Sequence, residues 1–430
     1  MRRDMKVLHL APPADRGDAL TAHSFIDEEI DALRESGVRC YVLSDVSGRR
    51  DVRRGVTVVG PRRLSQARKL FRAVSLVSHD ASGVPAGAVR RPRQLAHALR
   101  LEDAAAELIH RERIDVVHSH FGWPGGFGGA LAARSTGLPL VASLRGMDLL
   151  VREDLEYGLR RDPAYRAALD RLLRTADRTL YATTFLQRHG IAAGAPSSRA
   201  VVVRKGVDLT HFRPAPNRGV RQSALGLPGP LILGVGILGP RKGFEHLLDA
   251  LAPLRDLPWT LALCGEGSLR DALEAKTRAL GLTERVRFLG WVPRTAVNEY
   301  FGAADVFVHP ALIEAAGNVI LEAQASGCAT IASDCGGPPE YLVDRQTGLI
   351  VPVENPAALT DALQTLLVRP ELRAALGAAG RRAAEHHYAY SRMIDDLVAV
   401  YADVIRESAS RQPERRLSTS VRPPASSTAV

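Results

Sequence analysis

Two successive series of short apolar segments, each followed by a stretch with helical spacing, run along this chain of 430 residues. The first series includes KVLHL, IDVVHSHF, LPLVASLRG, DRTLYATT and RAVVVRKG, and the second opens with LILGVG. Apolar runs that alternate with helices are typical of parallel sheets covered on both faces. The pattern predicts an α/β protein with doubly wound sheets, whose ligands bind at the carboxyl ends of the strands.

A Pro- and Gly-rich stretch, HFRPAPNRGVRQSALGLPGP, separates the two series. The chain is long enough for two full cores, and we predict one Rossmann-like domain over 1–213 and a second over 214–390. A helical pattern follows over 391–407. The remainder, 408–430, is rich in Ser, Arg and Pro, which predicts a disordered tail.

Composition and charge exclude several classes of function. The net charge is +10, but no helix-turn-helix, zinc-finger or aromatic RNA-binding pattern accompanies it, so we expect no nucleic-acid partner. The sequence has no run of 18 apolar residues and no signal-peptide core, which predicts a cytoplasmic protein. Four cysteines that form no CxxC pair are predicted to pack as small hydrophobic residues: Cys40, Cys264, Cys328 and Cys335.

The stretch ALIEAAGNVILEAQASG places two carboxylates, Glu314 and Glu322, on either side of a predicted helix start. Gly317 lets the backbone approach a ligand, and the free N–H groups at Asn318 and Val319 offer an anion site. The two carboxylates could then hold hydroxyl groups on both sides of a phosphate, as in a sugar and a ribose flanking a diphosphate. The alternative is an ordinary strand–loop–helix with solvated glutamates.

The second series opens with GVGILG, a literal GxGxxG motif that includes Gly236, so an NAD-dependent dehydrogenase is an alternative. Two cations, Arg241 and Lys242, follow where that fingerprint has the body of a helix, and we predict that the helix starts near Phe244. Asp256 also precedes the second strand instead of ending it. These departures favour a loop that holds a diphosphate with Lys242 as its point charge, over a solvated Arg–Lys pair.

The stretch VFVHPALIEAAGNVILEAQASG resembles the E-x7-E signature of retaining glycosyltransferase family 4. Further blocks resemble the family in its order: ADRTLYATTFLQRHG, VRKGVDLTHFRP, GVGILGPRKGFEHLLDAL, LCGEGSLRDALEAK, RVRFLGWVP and IASDCGGPPEYLVDRQTGLIVP. The resemblance implies the GT-B fold, two Rossmann-like domains facing across a cleft, with the last helix returning to the first domain. The segment TAHSFIDEEIDALRESG resembles members that build bacterial exopolysaccharides.

The same resemblance implies transfer of a sugar, with retention, from a UDP- or GDP-sugar co-substrate to a glycan or lipid-linked acceptor, without a cofactor. The second domain binds the donor. Glu314 would hold the transferred sugar, Glu322 the ribose, and Lys242 with the helix start at Asn318 the diphosphate. Further donor contacts are expected at the turn Gly265–Glu266 and, beside the base, at Val292.

The first domain would hold the acceptor, and His120, Arg145 and Asp148 are its candidate site residues. We expect His118 and His120 to alternate at a strand end, so that only one faces the cleft, and we favour His120. Asp148 either faces the sugar or caps the following segment. No DxD sequence occurs, so no carboxylate clamp for a metal is expected on the diphosphate.

Three departures from the family pattern bear on activity. Ile237 replaces an arginine, Arg145 replaces a histidine, and the loop at Glu314 reads Glu-Ala-Ala-Gly. An inactive nucleotide-sugar-binding protein is therefore a second alternative. We hypothesise that Arg145 supplies the missing cation from the opposite wall, since adjacent residues such as Arg241 and Lys242 should diverge at a helix start.

A basic amphipathic pattern lies over 62–76, RRLSQARKLFRAVSL. It predicts either peripheral contact with an anionic membrane or a surface helix packed on its own domain.

Overall fold

The computed structural model describes residues 4–11, 24–43, 50–53, 56–59 and 92–411. The strands of the first sheet are β1 (Lys6–Leu10), β2 (Arg39–Leu43), β3 (Arg50–Arg53), β4 (Val56–Val59), β5 (Val116–His120), β6 (Leu140–Ser143), β7 (Arg178–Tyr181) and β8 (Ala200–Val202). Those of the second sheet are β9 (Leu231–Val235), β10 (Thr260–Cys264), β11 (Val286–Gly290), β12 (Val306–His309), β13 (Ala329–Ser333) and β14 (Leu349–Val351).

Helices connect these strands in the order that the alternating pattern predicts. They are α1 (Ser24–Glu35), α2 (Pro92–Glu112), α3 (Gly125–Thr136), α4 (Gly146–Leu149), α5 (Pro163–Thr175), α6 (Thr184–Ala192), α7 (Arg218–Ala224), α8 (Phe244–Leu251), α9 (Arg270–Ala279), α10 (Arg294–Ala303), α11 (Asn318–Ala325), α12 (Pro356–Val368), α13 (Pro370–His387) and α14 (Tyr390–Ser410). The helix after the glycine-rich loop starts at Phe244, as predicted.

Strand order reverses once in each sheet. The first sheet runs β3-β4-β2-β1-β5-β6-β7-β8 and the second β11-β10-β9-β12-β13-β14. All pairings are parallel except that of β3 with β4. Two doubly wound α/β sheets are therefore confirmed, and their switch points lie between β1 and β5 and between β9 and β12. Ligands of such sheets bind at these positions.

Strand alternation divides the first sheet into two buried faces. Val7 and Val116 point to the face that packs against Leu397 of α14, whereas Leu8 and Val117 point to the other face. The last helix of the chain thus packs on the first sheet. The four cysteines are buried and unpaired, which agrees with their predicted role as small hydrophobic residues.

Direct contacts join the two halves. The Glu340 carboxylate accepts hydrogen bonds from the backbone N–H groups of Thr184 and Phe185, at 2.8 and 2.6 Å, at the start of α6. A carboxylate is favourable there because the first N–H groups of a helix lack backbone partners. The Tyr341 hydroxyl donates to the Ala182 carbonyl at 2.6 Å. The carboxyl ends of both sheets consequently lie close together.

Helix α14 extends to Ser410, so the predicted start of the tail at residue 408 is too early. Ion pairs of Glu407 with Arg178 and with Arg411 hold the last turn in place. The segment 62–76 and residues 412–430 lie outside the described residues. None of the helices described is long and apolar enough to cross a bilayer.

Candidate active site

Glu314 lies in the loop between β12 and α11, at the switch point of the second sheet, where three basic side chains surround it. Its Oε2 accepts from Lys242 Nζ at 2.6 Å, with His309 Nε2 at 3.4 Å and Arg241 Nη1 at 3.7 Å. His309 is the last residue of β12. We call Glu314, Lys242, Arg241 and His309 the C-terminal cluster.

Adjacent residues Arg241 and Lys242 converge on one carboxylate, so the expectation that they would diverge is wrong. They lie in a 3-10 turn, Pro240–Lys242, which ends before α8 begins. The Arg241 guanidinium also lies 5.4 Å from the centre of the Tyr157 ring, a residue of the first half. A cation on an aromatic face is attractive, so this contact stabilises Arg241 between the two halves.

Opposite charges within the C-terminal cluster stabilise one another. Burial alone would raise the pKa of the Glu314 carboxyl, but Lys242, the nearby His309 and Arg241 outweigh it and place the pKa well below its usual value. Burial lowers the pKa of Lys242, and Glu314 opposes that shift. Burial followed by the charge of Lys242 lowers the pKa of His309, which keeps the imidazole neutral. The cluster thus holds one ionised carboxylate among cations.

Glycine turns border this cluster. Both Gly236, after β9, and Gly265, after β10, have φ of +151°, which side chains rarely adopt. A Cβ added at Gly265 would lie 1.9 Å from the Gly236 carbonyl oxygen, and one at Gly236 would lie 3.3 Å from Cε of Lys242. The close approach of the two turns therefore requires glycine and leaves backbone beside the lysine.

Helix α11 begins directly after this loop, as the spacing predicts. Gly317 caps it in the left-handed conformation with φ of +84°, and no side chain caps its first N–H groups. Asn318 and Val319 are partly exposed. An anion near this helix start would meet the positive end of the dipole.

Glu322 lies one turn into α11 and is 3% exposed at its side chain. Its Oε1 accepts from Arg294 Nη1 at 2.6 Å. Arg294 also forms a bidentate pair with Glu28 of α1, through Nε and, at 2.8 Å, through Nη2. Burial raises the pKa of Glu322 and Arg294 opposes that shift. The second carboxylate of the motif is therefore linked to the first half indirectly, because Arg294 pairs with both Glu322 and Glu28.

The remaining donor-side candidates lie at the edge of this region. Glu266 is ion-paired with Arg270 at 2.8 Å, and Val292 packs partly buried beside the apolar core. Trp291 and Ile237 are about half exposed, at 48% and 42%. These two exposed apolar side chains follow β11 and β9, so the site retains an apolar rim.

A second polar cluster lies at the switch point of the first sheet. Glu29 Oε2 accepts from Lys205 Nζ at 2.8 Å and from Arg145 Nη2 at 3.3 Å. Arg145 Nη2 also lies 3.4 Å from His120 Nδ1. We call Glu29, Lys205, Arg145 and His120 the N-terminal cluster.

Burial opposes the charges of this cluster, and its ion pairs offset that effect. The pKa of Glu29 lies well below its usual value because Lys205 and Arg145 outweigh burial. Burial and the neighbouring Arg145 lower the pKa of Lys205 to about 8, even though Glu29 opposes them.

Arg145 thus belongs to the N-terminal cluster, and the structure does not bring it to Lys242. Arg241 takes the place beside Lys242 that we had expected Arg145 to fill.

His118 and His120 lie on the same side of the sheet, so the expectation that only one faces the cleft is wrong. Residues two apart in a strand share a face. Their ring centres are 4.2 Å apart, both side chains are buried, and His9 of β1 joins them. His118 bonds Tyr401 of α14 at 2.6 Å and Ser143 at 2.8 Å. Helices α1 and α14 cover this face, which explains the burial.

The three histidines have nitrogen atoms within 4.8 Å of one another, and they form the one metal-compatible group found among the described residues. Burial lowers the pKa of His9 to about 4 and also lowers the pKa of His118 and His120. Neutral imidazole is the form that binds metals. However, both nitrogens of His118 already have hydrogen-bond partners, and the cations of the N-terminal cluster lie beside His120. In this structure, hydrogen bonds to Tyr401 and Ser143 hold His118, and a contact of 3.2 Å joins His9 Nδ1 to His120 Nε2.

Asp148 is fully buried and does not face the cleft. Its Oδ1 accepts from the Gly122 N–H at 2.8 Å and from the Tyr165 hydroxyl, and its Oδ2 accepts from the Arg145 N–H at 2.6 Å. It lies inside α4, with Arg145 at the N-cap position. The expectation of a sugar-facing carboxylate is corrected: Asp148 orders the loops that carry Arg145.

Sequence reasoning missed four contributors: Glu28, Glu29, Lys205 and Arg294. Glu29 had a detectable signal, because Ile26, Ile30 and Leu33 place it on the apolar face of α1. A carboxylate on such a face needs a partner. Which cations supply it depends on the tertiary fold.

Two family models match the halves of the chain. Residues 22–211 match the model described as Glycosyltransferase Family 4, and residues 220–383 match Glycosyl transferases group 1. A D-inositol 3-phosphate glycosyltransferase of Kineococcus radiotolerans is 33% identical over 71% of this chain and 76% of its own length. A GDP-mannose-dependent alpha-(1-6)-phosphatidylinositol monomannoside mannosyltransferase of Mycolicibacterium smegmatis is 33% identical over 59% of this chain and 67% of its own length.

Solved structures share the fold at lower identity. Anabaena HepE, solved with UDP and glucose, has a TM-score of 0.72 and 20% identity over 93% of this chain and 100% of its own. The sucrose-phosphate synthase of Thermosynechococcus elongatus has a TM-score of 0.73 and 18% identity over 94% of this chain and 100% of its own. These structural neighbours confirm the GT-B fold. They do not support the alternative of an NAD-dependent dehydrogenase. The chain belongs to glycosyltransferase family 4, and it is a transferase enzyme.

Proposed function

We propose that this enzyme transfers a hexosyl group, with retention, from a UDP- or GDP-sugar to a glycan or lipid-linked acceptor in bacterial polysaccharide or glycoconjugate biosynthesis. The C-terminal cluster is the observation that carries the proposal. It places an ionised carboxylate, Glu314, and two cations beside glycine turns and the open N-terminus of α11. The carboxylate can accept hydrogen bonds from sugar hydroxyls, and the cations and the helix N-terminus can bind a diphosphate.

Binding of the donor would redistribute the contacts of Lys242. Its ammonium group is neutralised by Glu314 at 2.6 Å. A diphosphate adds negative charge, so Lys242 and Arg241 can pair with phosphate oxygens while Glu314 turns to hydroxyls of the transferred sugar. Arg241 thereby replaces the cation lost at Ile237. Glu322, Gly265, Glu266 and Val292 would border the ribose and base.

In this proposal, the acceptor hydroxyl attacks the anomeric carbon on the face from which the nucleotide departs. The bond between that carbon and the phosphate oxygen breaks, a new carbon–oxygen bond forms, and the acceptor proton passes to a leaving phosphate oxygen. Lys242, Arg241 and the N–H groups of Asn318 and Val319 stabilise the developing charge. We expect no cofactor and no requirement for a divalent metal, because these groups already meet the diphosphate.

The acceptor would bind beside the N-terminal cluster, on the wall that carries His120 and Arg145. The names of two relatives specify inositol-containing compounds that carry phosphate, D-inositol 3-phosphate and phosphatidylinositol monomannoside. A phosphorylated inositol is therefore a specific candidate within the acceptor class. The cations Arg145 and Lys205 suit a phosphate on the acceptor.

A panel of ligands tests this function with the purified protein. UDP, GDP and NAD are compared by thermal shift, since a ligand of the folded state raises the Tm. Turnover of the matching sugar nucleotides follows, with NMR of the product to establish the anomeric configuration. Stabilisation by UDP or GDP and a product of retained configuration are expected. Stabilisation by NAD alone, or a product of inverted configuration, would overturn the proposal.

A further inference from the structure

Arg294 joins three elements that the family motif does not connect. It is the first residue of α10, and its Nη1 donates a hydrogen bond to Glu322 of α11 at 2.6 Å. Its Nε and Nη2 form a bidentate ion pair with Glu28 of α1. The guanidinium lies 5.6 Å from the centre of the Phe212 ring. The Tyr390 hydroxyl donates to Glu28 at 2.5 Å. Further contacts therefore hold both the Arg294 guanidinium and the Glu28 carboxylate in place.

The position of Arg294 is unfavourable unless both carboxylates are present. A cation at the start of a helix opposes the helix dipole. Glu322 is almost fully buried, and an ionised carboxylate is costly to bury without a partner. One planar guanidinium meets both requirements because its donors point to two carboxylates at once, which a lysine ammonium cannot reproduce.

A cavity shared by both halves opens beside this link. Its lining includes Arg294, Glu322 and Asn318 from the second half, Lys205 from the first half and Tyr390 of α14. The helix start at Asn318 and the Glu322 carboxylate therefore border the same space. The cavity has room for about one water in this structure, so a ribose beside Glu322, where the proposed function places it, requires this space to widen.

We propose that Arg294 is a positioning residue of the donor site, which orients the Glu322 carboxylate toward the donor ribose and ties it to Glu28 of the first half. This inference rests on the proposed function, from which it takes the ribose. It adds that nucleotide affinity depends, through Arg294, on Glu28, which lies outside the donor-binding half. Arg294 acts through Glu322 and need not touch the donor.

The charged and titratable groups that face Glu322 make this role measurable. They are Arg294 from α10, Glu28 from α1, His211 from the segment before α7 and Tyr390 from α14, with Lys205 lining the same cavity. Burial raises the pKa of Glu322, and Arg294 is the main opposing group. Removing Arg294 raises that pKa further. Ribose binding then requires a higher pH, because a protonated carboxyl is a weaker acceptor.

The experiment measures the Kd of UDP and of GDP by calorimetry between pH 5.5 and 8.5. We expect Arg294→Ala to weaken nucleotide binding at least about tenfold at pH 5.5. A rise of about one unit in the pKa of Glu322 reduces its ionised fraction about tenfold at a pH below that pKa. Its pH profile should move to higher pH. Arg294→Lys, which keeps the charge, should restore the profile but bind more weakly than wild type. Glu28→Gln should weaken binding without moving the profile upward.

Arg204→Ala is the matched control, because it breaks another ion pair between the halves, with Glu340 at 3.3 Å, and neither residue lines the cavity beside Glu322. It should leave the profile unchanged. If Arg294→Ala does not fold, Arg294→Lys decides, and affinity equal to wild type overturns the inference.

Glu322→Gln separates this inference from the proposed function. Unchanged nucleotide affinity in that variant would overturn the ribose assignment itself. Weakened affinity in Glu322→Gln, together with a wild-type pH profile in Arg294→Ala, would overturn only the role of Arg294.

Discussion

The two switch points carry clusters of the same composition in different surroundings. Each has one glutamate that accepts from a lysine and is approached by an arginine, with a histidine in contact. In both, the carboxyl pKa lies well below its usual value although burial opposes the shift. Charge arrangement alone therefore does not distinguish a structural cluster from a catalytic one.

What distinguishes the clusters is the backbone around them. Helices α1 and α14 cover the N-terminal cluster, where the Glu29 and Arg145 side chains are 5% and 13% exposed. In the C-terminal cluster, Glu314 and Arg241 are 15% and 27% exposed, and glycine turns and an uncapped helix start lie beside them. The C-terminal cluster can therefore receive a ligand, whereas Glu29 mainly holds α1 to the loops of the first half that carry Arg145 and Lys205.

The largest effect is expected from Glu29→Gln. This change leaves Lys205 and Arg145 buried without their counter-ion, and breaking a buried pair typically costs about 3 to 5 kcal/mol. Urea unfolding should show a loss near the lower end, since glutamine still accepts a hydrogen bond. Glu153→Gln, at an exposed ion pair with Arg161, is the control and should change stability by less than about 1 kcal/mol. Equal losses in both variants would remove the distinction between buried and exposed pairs.

Glu314→Gln should act on turnover. Its carboxylate contacts the transferred sugar in our proposal, so kcat should fall by at least about a hundredfold. Stability should fall less than in Glu29→Gln, because Arg241 is partly hydrated. Turnover is measured with the sugar nucleotide that the ligand panel identifies. Near-normal kcat would show that the C-terminal cluster is not the catalytic one.

Acid should destabilise the N-terminal region through its histidines. His9 has a pKa near 4 in the folded protein against an ordinary 6.5, so between these values the unfolded chain binds the proton and the folded chain does not. Stability is therefore fully present above pH 6.5 and is lost as the pH falls. One such group contributes up to about 1.4 kcal/mol per pH unit.

Urea unfolding at pH 7.5, 6.5 and 5.5 measures this slope. His9→Gln should flatten it by about 1 kcal/mol per pH unit, since one proton-linked group is removed. His386→Gln, at an exposed position of α13, is the control and should leave the slope nearly unchanged. A wild-type slope in His9→Gln contradicts the assignment.

The smallest effect is expected from chelation. Cations and backbone N–H groups surround the proposed diphosphate site, so activity should change by less than about twofold in EDTA. Loss of activity that added Mg²⁺ or Mn²⁺ restores would contradict this account.

The sequence predicted those features that depend on local spacing. The alternating segments predicted both sheets, and the positions of Gly317 and Asn318 predicted the start of α11. Glu314 and Lys242 lie on adjacent strand-end loops, whose meeting follows from a parallel sheet. Such features need no knowledge of how the halves pack.

Contacts between distant elements could not be predicted in the same way. Glu28, Glu29 and Lys205 meet their partners only after α1, β8 and the second half come together, and no local pattern specifies those partners. Asp148 looked like a ligand because its burial comes from Tyr165 and Gly122, which lie on other segments. The error for His118 and His120 was different, because strand periodicity already places them on one face.

Nucleotide binding by two matched lysine variants tests the central claim most directly. Lys242→Ala and Lys205→Ala each remove the lysine partner of a buried glutamate, one from each cluster. Calorimetry with UDP and GDP should show affinity reduced at least about tenfold in Lys242→Ala, as expected on removing a charge-assisted contact. Lys205 lines the cavity beside Glu322 but makes no contact with the diphosphate in the proposed function, so Lys205→Ala should reduce affinity by a clearly smaller factor. Retained affinity in Lys242→Ala with lost affinity in Lys205→Ala would contradict the account, because the diphosphate would then bind at the N-terminal cluster.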